Sequence, residues 1–157
     1  MRPIAHVCAM AFASILLHGS AFAVDSDRVD FSKPKSPGLE AGRKAVEAQD
    51  FKAALGHLTQ AAKETPEDAD VHNLLGYSYR KLGQLGPAME HYRLALKLEP
   101  NHRGAHEYIG ELYLELGQLD NAEKQLQALY KACPWLGRCE EYEDLKEAIA
   151  KFKAKRG

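Results

Sequence analysis

Three residues recur at a fixed interval, and that interval is the strongest constraint on what this chain can fold into. Gly42, Ala54 and Pro66 are followed 34 residues later by Gly76, Ala88 and Pro100, and after another 34 by Gly110, Ala122 and Pro134. A period of this length, with helical patterning inside it, is that of one supersecondary unit repeated side by side. In the middle period Val71, Leu74, Leu75, Tyr79 and Leu82 form one helical stripe, and Ala88, Tyr92, Ala95 and Leu96 a second. Between them Leu82-Gly83-Gln84-Leu85 turns the chain, and Leu116-Gly117-Gln118-Leu119 repeats that turn in the next period. The chain therefore reads as all-α, a helix–turn–helix solenoid of three 34-residue repeats with a C-terminal capping helix.

Helix ends follow from local chemistry. Ser36-Pro37 is an N-cap followed by Pro at the first helical position, so a helix is expected over 38–48. Asp50 is placed to cap a second one over 51–64, with Phe51, Ala54, Leu55, Leu58 and Ala62 on one face. Pro66, Pro100 and Pro134 each close a unit, because the residue before a proline is disfavoured in the α conformation. The third period carries Ile109, Leu112, Tyr113 and Leu116, then Ala122, Leu126 and Leu129. Beyond it, Tyr142, Leu145, Ile149 and Phe152 lie on one face of an amphipathic helix whose other face carries Glu141, Asp144, Glu147 and Lys151. The last unit of a solenoid has an apolar flank to cover, and this helix is the natural cap. The resulting division is 35–68, 69–102 and 103–136 for the units and 137–157 for the cap.

The N-terminal segment follows a different plan. Arg2, an apolar run from Val7 to Leu17 and the small-x-small exit Ala21-Phe22-Ala23 describe a secretory signal peptide over 1–23. The competing reading, a retained membrane anchor, is opposed by His18 and Gly19, which leave the apolar run short for a bilayer. Residues 24–37, with Pro34 and Pro37 and no apolar period, read as a flexible leader. The expected address is the periplasm or the exterior, without stable membrane insertion once the signal is cleaved. Of the three cysteines, Cys8 lies in the apolar run, leaving Cys133 and Cys139 in the exported part. Two thiols in an exported protein are most simply a disulfide. A redox couple or soft-metal site stays open, because Cys139 stands at an expected helix start.

The residues at fixed positions of each period resemble the tetratricopeptide repeat. The second unit matches that family with Leu75, Gly76, Tyr79, Ala88, Tyr92, Ala95 and Pro100. The third matches with Gly110, Tyr113, Ala122 and Pro134, and the degenerate first keeps Gly42, Ala54, Ala61 and Pro66 but has Ala45 where the others have Tyr. The segment following Cys139 also resembles the tail of small exported bacterial repeat proteins. The family resemblance implies a right-handed superhelix whose first helices line a concave groove. It places Arg43, Asp70, Asn73, Tyr77, Arg80, Glu107 and Glu111 in a protein-binding groove, with Leu39, Val46 and Leu114 at equivalent positions and Lys81 and Glu115 at the rim. It further implies that Gly76 and Ala88 let the helices of a unit approach while Tyr79 and Tyr92 fill space between units. The family's clamp for chaperone C-terminal carboxylates needs Lys, Asn and Arg where this chain has Leu39, Arg43, Leu74, Gly104 and Tyr108, so that function is not expected.

Nothing in the sequence reads as a catalytic constellation, a phosphate-cradling loop or a zinc-ligand spacing. Lys and Arg total 21 against 22 Asp and Glu, which gives no footprint for nucleic acid. His72 and His106 share one repeat position and read as half-buried packing residues. His102 and His106 are too weakly supported to be a metal pair. No cofactor and no metal are expected. The leading expectation is a non-catalytic adaptor that binds a peptide or partner protein in its groove. The alternative is a thiol-redox or metal-handling accessory using Cys133 and Cys139.

Overall fold

The computed structural model describes residues 36–134 and 139–155. The expected signal segment 1–23 and nearly all of the leader lie outside the described residues, as do 135–138 and 156–157. Within the described part the chain forms seven helices: α1 (Pro37–Glu47), α2 (Phe51–Glu64), α3 (Ala69–Lys81), α4 (Leu85–Leu98), α5 (Arg103–Glu115), α6 (Leu119–Ala132) and α7 (Glu140–Ala154). They pair as α1 with α2, α3 with α4, and α5 with α6, and α7 packs on both α5 and α6. This is the expected arrangement of three helical hairpins and a cap.

Each hairpin turn is built alike. The amide of Gly83 donates to the Arg80 carbonyl (2.9 Å) and that of Gln84 to the Tyr79 carbonyl (2.9 Å), and Gly117 and Gln118 repeat both bonds. This double closure puts its middle residue in the left-handed region, at φ +74° for Gly83 and Gly117. The first unit makes the same bonds from Gln49 and Asp50, so a non-glycine residue takes φ +58° there.

Packing at the hairpin crossings explains the small residues. A Cβ on Gly76 would stand 2.7 Å from the ring of Tyr92, a fully buried residue of the same unit, and one on Gly42 would strike Leu58. Tyr92 thus seats on its own unit's glycine, and it also touches the Ile109 and Leu112 cluster of the next unit. Ala54, Ala88 and Ala122 have no exposed surface. The third unit departs from the pattern: the side chain nearest Gly110 is Leu145 of α7, not Leu126 at the equivalent position of α6. The cap therefore plugs into the last unit with Leu145 and Ile149 buried and Tyr142 and Phe152 packed beside them.

Ser36 differs from its expected role. Its side chain makes no cap bond; its hydroxyl donates to the Glu64 carboxylate (2.9 Å), tying the start of α1 to the end of α2. Asp50 does cap α2, accepting from the Ala53 amide (3.0 Å).

His72 and His106 are both buried and do one job in successive units. The Nε2–H of His72 donates to the Pro66 carbonyl and that of His106 to the Pro100 carbonyl, each at 2.9 Å. With Nε2 carrying the proton, Nδ1 is left to accept. It lies 3.2 Å from Nδ1 of His91 in one unit and 2.7 Å from Oε1 of Gln125 in the next, where the Gln125 amide has to turn its NH2 to the ring to donate. The two positions form one repeated pair that fastens the second helix of a unit to the turn before it.

Candidate functional site

The first helices of the units lie side by side, α1 against α3 and α3 against α5, and the seven expected groove residues are all on them. The structure links these residues into two clusters. In the first, Arg43 of α1 pairs with Asp70 of α3 (2.5 Å), and Asp70 also accepts from Nε2 of His102 (3.0 Å). His102 is the N-cap of α5, where its Nδ1 accepts the Ala105 amide (3.1 Å), which leaves the proton on Nε2 facing the carboxylate. The His102 bond, with the Arg43 charge behind it, holds the Asp70 carboxyl below its ordinary range against the opposing effect of burial. The role of His102 was invisible in sequence, since histidine is an uncommon cap.

The second cluster is aromatic and ionic. Phe51 meets Tyr77 edge-on with ring centroids 6.0 Å apart, and Tyr77 lies 4.9 Å from Tyr108. The Arg80 guanidinium sits 5.8 Å from the Tyr77 centroid and 5.9 Å from that of Tyr108. Its side chain is only 6% exposed, and it pairs with Glu111 and, at 2.9 Å, with Glu115. Arg80 is thus neutralised by the chain's own carboxylates. Lys81 also stands over the Tyr77 ring, 5.1 Å from its centroid. Burial raises the Tyr108 and Tyr92 hydroxyls above the ordinary phenol range.

Two groove residues are buried without saturating their polar atoms. Asn73 is 6% exposed and its Oδ1 has no donor among the described residues. Glu107 is 8% exposed and has no hydrogen-bond or ion-pair partner among the described residues. Burial, reinforced by Glu111, Asp144 and Glu141, raises its carboxyl to about 8, so it is largely protonated at neutral pH. Asp144 and Glu141 belong to α7, whose polar face therefore contributes to the acidic end of the groove. Leu39 and Leu114, at groove positions in the repeat, are buried and belong to the core clusters instead.

Cys133 and Cys139 are joined in a disulfide, with Cα atoms 5.7 Å apart, between the end of α6 and the start of α7. Among the described residues no group of three or more His, Cys, Asp and Glu is placed to hold a metal ion. No helix there is long and apolar enough to cross a membrane.

The tetratricopeptide repeat model matches residues 39–102 and 78–134, together more than half of the chain. The chain is a tetratricopeptide repeat protein. Its repeat fold superimposes on the TPR2B domain of yeast Sti1 in complex with pHsp70 with a TM-score of 0.68, at 18% identity over 76% of this chain and 95% of that one. The Yersinia enterocolitica type III secretion translocator chaperone SycD gives a TM-score of 0.68 at 15% identity, covering 78% and 85%. The second tetratricopeptide domain of human RPAP3, in complex with the HSP70 peptide SGPTIEEVD, gives 0.63 at 16% identity, covering 74% and 92%. The comparison with curated proteins found no match.

Proposed function

We propose that this tetratricopeptide protein is a non-catalytic interaction module, exported to the periplasm or beyond, that binds a peptide segment of a partner protein along α1, α3 and α5. The observation that carries the reading is the aromatic shelf in which Tyr77 of α3 and Tyr108 of α5 adjoin and Phe51, at the start of α2, extends the contact to the first unit. Structural neighbours in complexes with HSP70 segments support peptide capture as a use of this fold. Their ligand chemistry does not carry over, because the HSP70 peptide SGPTIEEVD has three acidic residues in its last four and this chain presents Glu111, Glu141 and Asp144 at the acidic end of its groove. Like charges facing each other across an interface oppose binding.

Panning a random heptapeptide library on the full chain tests this. Retained peptides should lose about tenfold in affinity with Tyr77→Ala, the size expected for one aromatic contact. Undiminished affinity in a variant whose helical spectrum is unchanged would place binding elsewhere.

The disulfide favours export, since such bonds persist in oxidising compartments. A thiol-redox role keeps one supporting observation: Cys139 is the N-cap of α7, and a helix N-terminus stabilises a thiolate. Non-reducing mass measurement separates the two roles. A chain starting at Val24 whose bond survives mild reductant is an exported protein with a structural staple, whereas a readily reduced bond supports redox use.

A further inference from the structure

The acidic end of the groove has a carboxyl without a partner among the described residues. Glu107 is buried in the second turn of α5 and meets no donor among the described residues. Asn73, also buried, lies with its side-chain nitrogen 3.1 Å from where a Cβ on Gly104 would stand, one helical turn before Glu107 on the same face. Its Oδ1 has no donor either among the described residues. The Glu107 oxygens are not among the buried unmatched atoms, so the carboxyl reaches the groove, whereas a buried acceptor such as Asn73 Oδ1 is rarely left unmatched unless something else supplies the donor. Around them the charge is negative: Glu111 on α5, and Glu141 and Asp144 on α7. The cations nearby are engaged. Arg80 of α3 is held by Glu111 and Glu115, and Arg103 reaches Glu141 at 3.6 Å.

We propose that this corner of the groove is a seat for the cationic side chain of an arginine or lysine on a peptide partner, with Glu107 as its floor and Glu141 and Asp144 of α7 as its rim. The proposal rests on the groove reading above and specifies the partner as a basic segment. A guanidinium or ammonium supplies only donors, which is what Glu107 lacks. A metal ion is a poorer match, because the nearby carboxylates do not converge as a ligand set. Binding a cation here favours the ionised carboxylate, so the bound complex releases the proton that Glu107 holds in the free protein at neutral pH.

The heptapeptide library that tests the groove also tests the seat, through a separate readout. Peptides retained by the full chain should be enriched in Arg or Lys at one position and depleted in Asp and Glu. For a synthetic copy of the best peptide, Glu107→Gln should weaken binding about tenfold at pH near 8, the loss of one charge-assisted contact. Glu147→Gln, which removes the same charge from an exposed residue paired with Lys151, should leave affinity unchanged. Wild-type affinity should rise by up to about tenfold per unit between about pH 6 and 8, and Glu107→Gln should flatten that slope. Retained peptides without basic enrichment would overturn the seat while the groove reading stands. Equal weakening by Glu147→Gln would reduce the effect to diffuse attraction and also overturn it. A library from which nothing is retained would remove both.

Discussion

Gln49, Gly83 and Gly117 occupy the same position in three successive units, and all three have positive φ. Only glycine enters that region without steric cost; other residues lose about 1–2 kcal/mol there. Gln49→Gly should therefore stabilise the protein by roughly 1 kcal/mol, less the extra freedom that glycine gains in the unfolded chain. The change should appear as a higher urea midpoint with an unaltered slope. A midpoint that falls would mean that the turn of the first unit is held by contacts of the glutamine side chain. At this scale the sequence was readable wherever a residue type has a single physical use. The glycines of the turns and crossings fall in that class. Gln49 does not, since its side chain says nothing about its backbone. The pairs His72–His91 and His106–Gln125 were also hidden, because partners 19 residues apart share no local pattern and meet only when the hairpin closes.

The cap is the element whose behaviour is most open to test. Its apolar stripe, legible as Tyr142, Leu145, Ile149 and Phe152, established which face is buried. The stripe did not reveal that Leu145 would occupy the space over Gly110, because a periodic pattern names a face and not its neighbour. Nor did it reveal that Glu141 and Asp144, assigned to the opposite polar face, come near Glu107 of α5. The disulfide ties the start of α7 to the end of α6 across a short loop. Replacing both cysteines by alanine should cost about 2 kcal/mol, the value for closing a loop of this length. Hydrogen exchange should quicken chiefly in α7 while α3 and α4 keep their protection. Uniform loss of protection would show that the cap is not a separable unit of stability.

For the whole molecule, Glu107 and Asp70 pull stability in opposite senses with pH. Glu107 has a folded-state value of about 8, above its ordinary 4.5, so between those limits the folded chain binds more protons than the unfolded one. Stability from this group is present at low pH and is lost as pH rises through about 8. Asp70 is depressed below 3.8, so its contribution is present at neutral pH and disappears only in strong acid. His91, lowered from 6.5 chiefly by burial and further by His72, adds stability as pH rises through the acid range up to about 6.5. Between about pH 6.5 and 8, above the range of His91 and below the folded-state value of Glu107, Glu107 dominates these shifts. The melting temperature should fall across that window, and Glu107→Gln should remove most of the fall, an effect of at most a few kcal/mol. An unchanged slope in the variant would assign the titration to another group. The arrangement of helices was legible as a whole because it is fixed by a period repeated three times. The electrostatic character of the groove was not, since Arg80 and Glu107 differ from solvated charges only through burial.

The ties across the groove also determine how the stack can bend. Arg43–Asp70 joins the first unit to the second, and Arg80 with Glu111 and Glu115, beside the bond from Asp70 to the α5 cap His102, joins the second to the third. The first tie is half open to water, with side-chain exposures of 37% for Arg43 and 49% for Asp70, so dissolved ions screen it readily. The second has its arginine inside the protein, where screening is weak. The array is therefore a hinge of graded compliance, soft at its first joint and stiff at its second. An elongated ligand would deform the N-terminal joint first, and salt would loosen that joint while the C-terminal one kept its curvature.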